Sequence, residues 1–324
     1  MRKLIFVSAL VVAGVGLVLA TRGKPGKPPV PTAARAPVVR HDGPPNASAL
    51  QPATQARVDS APEKKEWTAK FHASNDYLKF INEALPAAKD GDGRAAWYIG
   101  RALQSCLIVM KEYHGSPDPE AQLQQELTSM HAEQWVRDQR EQKTRRCLGL
   151  AREGAPDGES SAYWYAQALA AGDPLAQEDT AARALADISV DLQMSGETKA
   201  AKLKIVQDNL KAVIESGDVE ALYRAGNLLA NPRTTDDTMR GFALALAACN
   251  MGRDCSADNP DNLFYGCKFS GTCPPNADYA YFLQQSLGQD GYAQLYALAQ
   301  QVEQSVRAGN YQTVLASLKI DRHP

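Results

Sequence analysis

Histidine is scarce in this chain, with five among 324 residues, and no His-Glu-x-x-His, Gly-x-Ser-x-Gly or Walker pattern occurs. That leaves no zinc-protease pair, nucleophile elbow or phosphate-cradling loop to read. No stretch alternates with period two for long, so no sheet is expected. Cysteine is absent before Cys106, which excludes lipoprotein processing at the N-terminus. Phe, Trp and Tyr are absent from residues 21–66, which hold nine of the nineteen prolines. Such a segment cannot build a core. A basic surplus is lacking too. The formal net charge is −2, and residues 1–66 carry ten Lys/Arg and four Asp/Glu, which leaves 25 basic and 33 acidic groups in residues 67–324. A body with that acidic excess binds phosphate backbones poorly, so no nucleic-acid partner is expected.

Two motif fragments lack their context. Gly91-x-Gly93-x-x-Ala96 resembles a dinucleotide fingerprint, but it follows a helical segment containing Pro86 rather than a strand. His131-Ala132-Glu133 has the His-x-Glu of zinc deaminases without their Pro-Cys-x-x-Cys partner. No catalytic residue, cofactor or metal is expected.

What is present begins with residues 1–20, MRKLIFVSALVVAGVGLVLA, where Arg2 and Lys3 precede an apolar run. That is a signal peptide or a membrane anchor, since a run of about 17 residues sits at the lower edge for spanning a bilayer. Val18 and Ala20 suit a cleavage site, whereas Arg22, Lys24 and Lys27 follow directly. The expected location is the periplasm or another exported compartment, with an inner-membrane tether if residues 1–20 are retained. Residues 21–66 read as a Pro/Ala-rich disordered linker, spanning roughly 35–40 Å as a flexible coil. Residues 67–324 read as one helical domain with a Cys-rich segment over 249–275. Within the linker, Asn46-Ala47-Ser48 matches a glycosylation sequon, a three-residue pattern of little weight.

The body is organised around Val206–Ala230. Val206, Leu210, Val213 and Ile214 form one apolar stripe, and Ala221, Leu222, Ala225, Leu228 and Leu229 form another. Between them Gly217 can end the first helix in the left-handed conformation, and Asp218 can cap the second. Weaker copies recur. Gly91-Asp92-Gly93-Arg94-Ala95-Ala96-Trp97-Tyr98-Ile99-Gly100 aligns with Gly217-Asp218-Val219-Glu220-Ala221-Leu222-Tyr223-Arg224-Ala225-Gly226. Gly172-Asp173 repeats the turn with Ala181 at the later glycine position, and Leu246–Gly252 repeats the end of a first helix. The four turn glycines are 81, 45 and 35 residues apart, periods that suit α/α units stacked as a solenoid. The expected fold is therefore all-α, an α/α-repeat solenoid with a disulfide-stabilised C-terminal cap. The Ala-Ala-x-x-Gly-Asp-x-x-Ala pattern resembles the Sel-one-like repeat family, short tetratricopeptide-related α/α repeats, over about residues 76–255. That resemblance implies protein–protein scaffolding without catalysis.

Cys106, Cys147, Cys249, Cys255, Cys267 and Cys273 make an even set downstream of an export-type segment. Compartment and spacing favour three disulfides over structural zinc. Fifteen pairings are open. Cys106 and Cys147, alone in their region, are expected to pair and join neighbouring helices. On the chain-entropy model their loop is worth about 3–4 kcal/mol. Trp97, Tyr98, Tyr163, Trp164 and Tyr223 sit on helices beside the turns. They are either core or, for rings facing outward, anchors for a partner. The function expected is protein–protein interaction in the cell envelope, with an unidentified protein or envelope component as partner. The alternative is an exported enzyme or accessory protein with an acidic cleft.

Overall fold

A computed structural model describes residues 62–318, apart from 133, 192, 231–234, 257–258, 260–261 and 263–276. The export segment 1–20, the sequon, Cys267 and Cys273 lie outside the described residues. Among those described there are twelve helices and no strand, and the fold is all-α. Among the described residues an isolated antiparallel bridge joins Ser256 and Asp278.

The helices are α1 (Pro62–Ala73), α2 (Tyr77–Lys89), α3 (Gly93–Tyr113), α4 (Pro119–Ser129), α5 (Gln134–Glu153) and α6 (Ser161–Ala170). They continue as α7 (Pro174–Val190), α8 (Gly196–Ser216), α9 (Val219–Leu229), α10 (Thr235–Asn250), α11 (Tyr279–Arg307) and α12 (Tyr311–Leu318). Most begin at a side-chain cap. Asp76, Asp92, Asp118, Asp173, Asp218 and Asp278 accept backbone N–H groups of the first turns of α2, α3, α4, α7, α9 and α11. Each thereby satisfies donors that a helix start leaves open. Gly217 ends α8 at φ +64°, as its place in the turn requires.

Three boundaries differ from the sequence reading. First, α1 starts inside the segment read as linker, because Trp67 and Phe71, one turn apart, are buried against the body. Second, residues 120–153, which the sequence reads as one long polar helical stretch, are two helices, with α5 returning to pack on α2 and α3. Third, α8 begins ten residues before Val206, over a first half whose side chains are largely exposed and so show no stripe. By contrast, α2 continues through Pro86 to Lys89.

α3 is the most enclosed helix, packed by α1, α2, α5, α6 and α7. Further along, α7 packs on α8, α9 on α10, and α10 on α11. Small residues permit these crossings. A Cβ placed on Gly226 would lie 2.5 Å from the Ala245 backbone nitrogen, and one on Gly241 would collide with Ala230 backbone atoms. Gly100 admits Tyr165 of α6 in the same way, at 3.1 Å. Cys106 of α3 and Cys147 of α5 form a disulfide with Cα atoms 5.3 Å apart, and both are fully buried. Cys249 and Cys255 form a second, closing the turn after α10.

Candidate functional site

The recurring Gly-Asp turn does two jobs in this fold. At Asp92, Asp173 and Asp218 one carboxylate oxygen, Oδ1, accepts from the aspartate's own helix. The other oxygen accepts from elsewhere in the chain. Trp67 Nε1 of α1 donates to Asp92 Oδ2 at 2.8 Å. Arg94, at the start of α3, donates from Nε to Asp173 Oδ2 at 2.8 Å and from Nη2 to Asp218 Oδ2 at 2.6 Å. One guanidinium thus ties the starts of α3, α7 and α9 together. Its side chain is 2% exposed, against 2% for Asp173 and 8% for Asp218, so the charges are shielded from water and are matched to one another. Burial opposes the charge on Arg94, but Asp218 and Asp173 outweigh it and hold the guanidinium above its ordinary value. Burial raises the Asp173 carboxyl, with Arg94 offsetting part of the effect.

One turn further along the same helices lies a second network. Trp97 Nε1 donates to Asp179 Oδ2 at 2.7 Å. Arg224 of α9 donates to Glu178 and to Asp179, each at 2.6 Å, and lies over the Trp97 ring at 5.2 Å. Burial raises the Glu178 carboxyl despite Arg224 beside it. Counted from their turn glycines, Trp97, Glu178 and Tyr223 hold the same position, as do Tyr98, Asp179 and Arg224.

In the fourth copy of the turn Arg253 follows Gly252 where the others have aspartate. It reverses the polarity of the contact. Its Nε and Nη2 donate to the Glu220 carboxylate at 2.9 and 3.1 Å, and its Nη1 donates to Asn262 Oδ1 at 2.6 Å. The guanidinium stacks 3.4 Å from the Tyr223 ring centroid. Beside it opens a cleft of about 310 Å³. Thr68, Ala69 and His72 of α1 form one side, with Arg94 at the start of α3. Asp218, Val219 and Glu220 of α9, and Gly252, Arg253, Asp254 and Asn259 after α10, complete the lining. That volume is at the small end for ligand sites. Arg94, Asp218, Glu220 and Arg253 are all engaged with one another or with helix N–H groups, and the lining also carries the titratable side chains of His72 and Asp254.

The aromatic residues singled out in the sequence are mostly core. Trp97, Tyr98, Trp164 and Tyr223 are each at most 2% exposed, so none of these four faces outward. Adjacent rings at 97 and 98 both enter the core because α3 is covered all round, and they meet edge to face with centroids 4.7 Å apart. Tyr163 is the exception at 40% exposure. The residues that knit the helix starts, Arg94, Arg224 and Arg253, were not picked out. Their signal was present in the repeat register, as basic residues at turn-proximal positions, but their partners are as much as 124 residues away.

Among the described residues no group of three or more His, Cys, Asp or Glu side chains is placed to hold a metal. No described helix is long and apolar enough to cross a membrane. No protein-family model matches the chain, and comparison with curated proteins and with solved structures gives no match.

Proposed function

We propose that this is an exported α/α-repeat protein, a short solenoid closed by a disulfide-bonded C-terminal cap, that binds another protein or an envelope component. The observation that carries this reading is the recurrence of the Gly-Asp turn at the starts of α3, α7 and α9, with each aspartate also holding a side chain from another helix. Stacked units of this kind present a shared surface rather than a reaction centre. The resemblance to Sel-one-like repeats points the same way. The apolar N-terminal run and the buried Cys106–Cys147 bridge support export, since disulfides persist in oxidising compartments. The Cys249–Cys255 bridge and the helices that follow it are the proposed cap.

The acidic-cleft enzyme is the weaker reading. Asp218 and Glu220 are held by Arg94 and Arg253, which ties up two of the three carboxylates in the cleft lining.

The test is a photoreactive amino acid placed at exposed positions of α6, such as Tyr163 and Ala166, in intact cells. A discrete protein adduct in the envelope fraction is expected from a subset of these positions. Absence of adducts from every outward position on α3, α6 and α8 refutes a protein-binding role. An N-terminal fusion of residues 1–66 to a reporter active only outside the cytoplasm tests export separately.

A further inference from the structure

We propose that Cys249–Cys255 is an exchangeable redox site, opened by a dithiol reductant through attack on Cys249, while Cys106–Cys147 is a structural bond. The two disulfides differ in access and in surroundings. Cys106 and Cys147 are both fully buried. Cys249, on the last turn of α10, is only half-buried, whereas its partner Cys255 is 8% exposed. An incoming thiolate therefore reaches the Cys249 sulfur first. The group expelled is then Cys255, and Arg253 Nη1 lies 3.5 Å from its Sγ. A guanidinium at that distance stabilises a thiolate, and a better-stabilised leaving thiolate departs faster.

A dithiol, as its monothiolate, bonds to Cys249 Sγ while the Cys249–Cys255 bond breaks, and Cys255 leaves as thiolate beside Arg253. The second thiol of the reductant then attacks its own sulfur in the mixed disulfide and releases Cys249. The reductant ends as a disulfide and the protein holds two thiols, a transfer of two electrons. The site is coupled to the cleft. Arg253 also holds Glu220 and Asn262 and covers Tyr223, so a Cys255 thiolate competes with Glu220 for the same guanidinium. Reduction thereby loosens one wall of the cleft while leaving the core bridge intact.

The experiment exposes the oxidised full-length protein to glutathione and, separately, to graded dithiothreitol, with alkylation and peptide mass mapping of all six cysteines. The glutathione adduct is expected on Cys249, and the Cys249–Cys255 bond is expected to open at least about ten-fold faster than Cys106–Cys147. Arg253→Gln should slow opening of Cys249–Cys255 roughly three-fold or more, Arg253→Lys should restore most of the rate, and neither should change Cys106–Cys147. An adduct mainly on Cys255, equal rates for the two bonds, or faster opening in Arg253→Gln overturns the proposal. Glu220→Gln loosens the hold on Arg253 without removing its charge, so it separates electrostatic assistance from simple exposure. Its rate should match or exceed that of the unaltered protein, and a fall like that of Arg253→Gln counts against the mechanism.

Discussion

Replacing Arg94 with methionine removes the guanidinium but keeps a chain of similar reach. Asp173 and Asp218 would then face each other's negative charge at sites 2% and 8% exposed, with no cation between them. Breaking a buried pair by removing one partner costs about 3–5 kcal/mol, because the stranded charge keeps its desolvation penalty. A folded domain has roughly 5–15 kcal/mol in all, so Arg94→Met should lose about a fifth or more of the stability. At about 2–4 °C per kcal/mol for a chain of this size, the melting temperature should fall by roughly 6–20 °C. Urea titration followed by far-ultraviolet circular dichroism measures the first quantity, and a thermal scan the second. The compensating variant is Asp173→Asn with Asp218→Asn in the Arg94→Met background. Asparagine caps a helix about as well as aspartate and leaves no charge to strand, so most of the loss should return. If Arg94→Met costs under about 1 kcal/mol, or the two asparagines restore nothing, the bridge does not hold these helix starts together.

Gly226→Ala should cost about 1–3 kcal/mol in urea titration, because its Cβ meets the Ala245 backbone, which cannot swing away. Gly100→Ala should cost less, since the obstacle there includes the Tyr165 ring, and equal losses would contradict that distinction. Removing the core disulfide by Cys106→Ala with Cys147→Ala should lower stability by about 3–4 kcal/mol on the chain-entropy model, read as a shifted urea midpoint under non-reducing conditions. Burial leaves the Asp173 and Glu178 carboxyls raised when folded. Their contribution is fully present below the unfolded values of about 3.9 and 4.3 and is lost as pH rises through the folded values. Asp173→Asn should therefore flatten the decline in stability above about pH 4, and an unchanged pH profile contradicts the assignment. Glu126 has the opposite sign. Burial opposes its charge, but Arg140 and Tyr113 hold it below its ordinary value, so its contribution is lost as pH falls through the folded value.

Much of the fold could be read from side-chain spacing. The stripes of α9 and the second half of α8 and the turn at Gly217-Asp218 express local rules, helical period and capping, and the Cys106–Cys147 pair follows from two cysteines standing alone in their region. What could not be read was long-range. Asp92, Asp173 and Asp218 could each be seen as a cap, because a cap acts within three residues. Their second oxygens answer to Trp67 and Arg94, and no local rule connects position 94 to position 218. The same limit explains Trp97 and Tyr98. Periodicity says that neighbouring rings diverge, but it does not say that α1 and α2 cover Tyr98 while α6 and α7 cover Trp97. The first half of α8 was missed for the converse reason, since an exposed segment carries no stripe.

The Arg94 bridge has a consequence for how such a chain can change length. In a repeat array where each unit touches only its neighbours, units can be gained or lost in the middle with little penalty. Here the start of α3 is bound at once to the start of α7 and to the start of α9, one helix pair further on. Duplicating or deleting a pair between them would put Arg94 opposite the wrong helix start and leave a carboxylate buried without its cation. The bridge thus counts the helices it spans, and it holds this stretch of the chain at a set length.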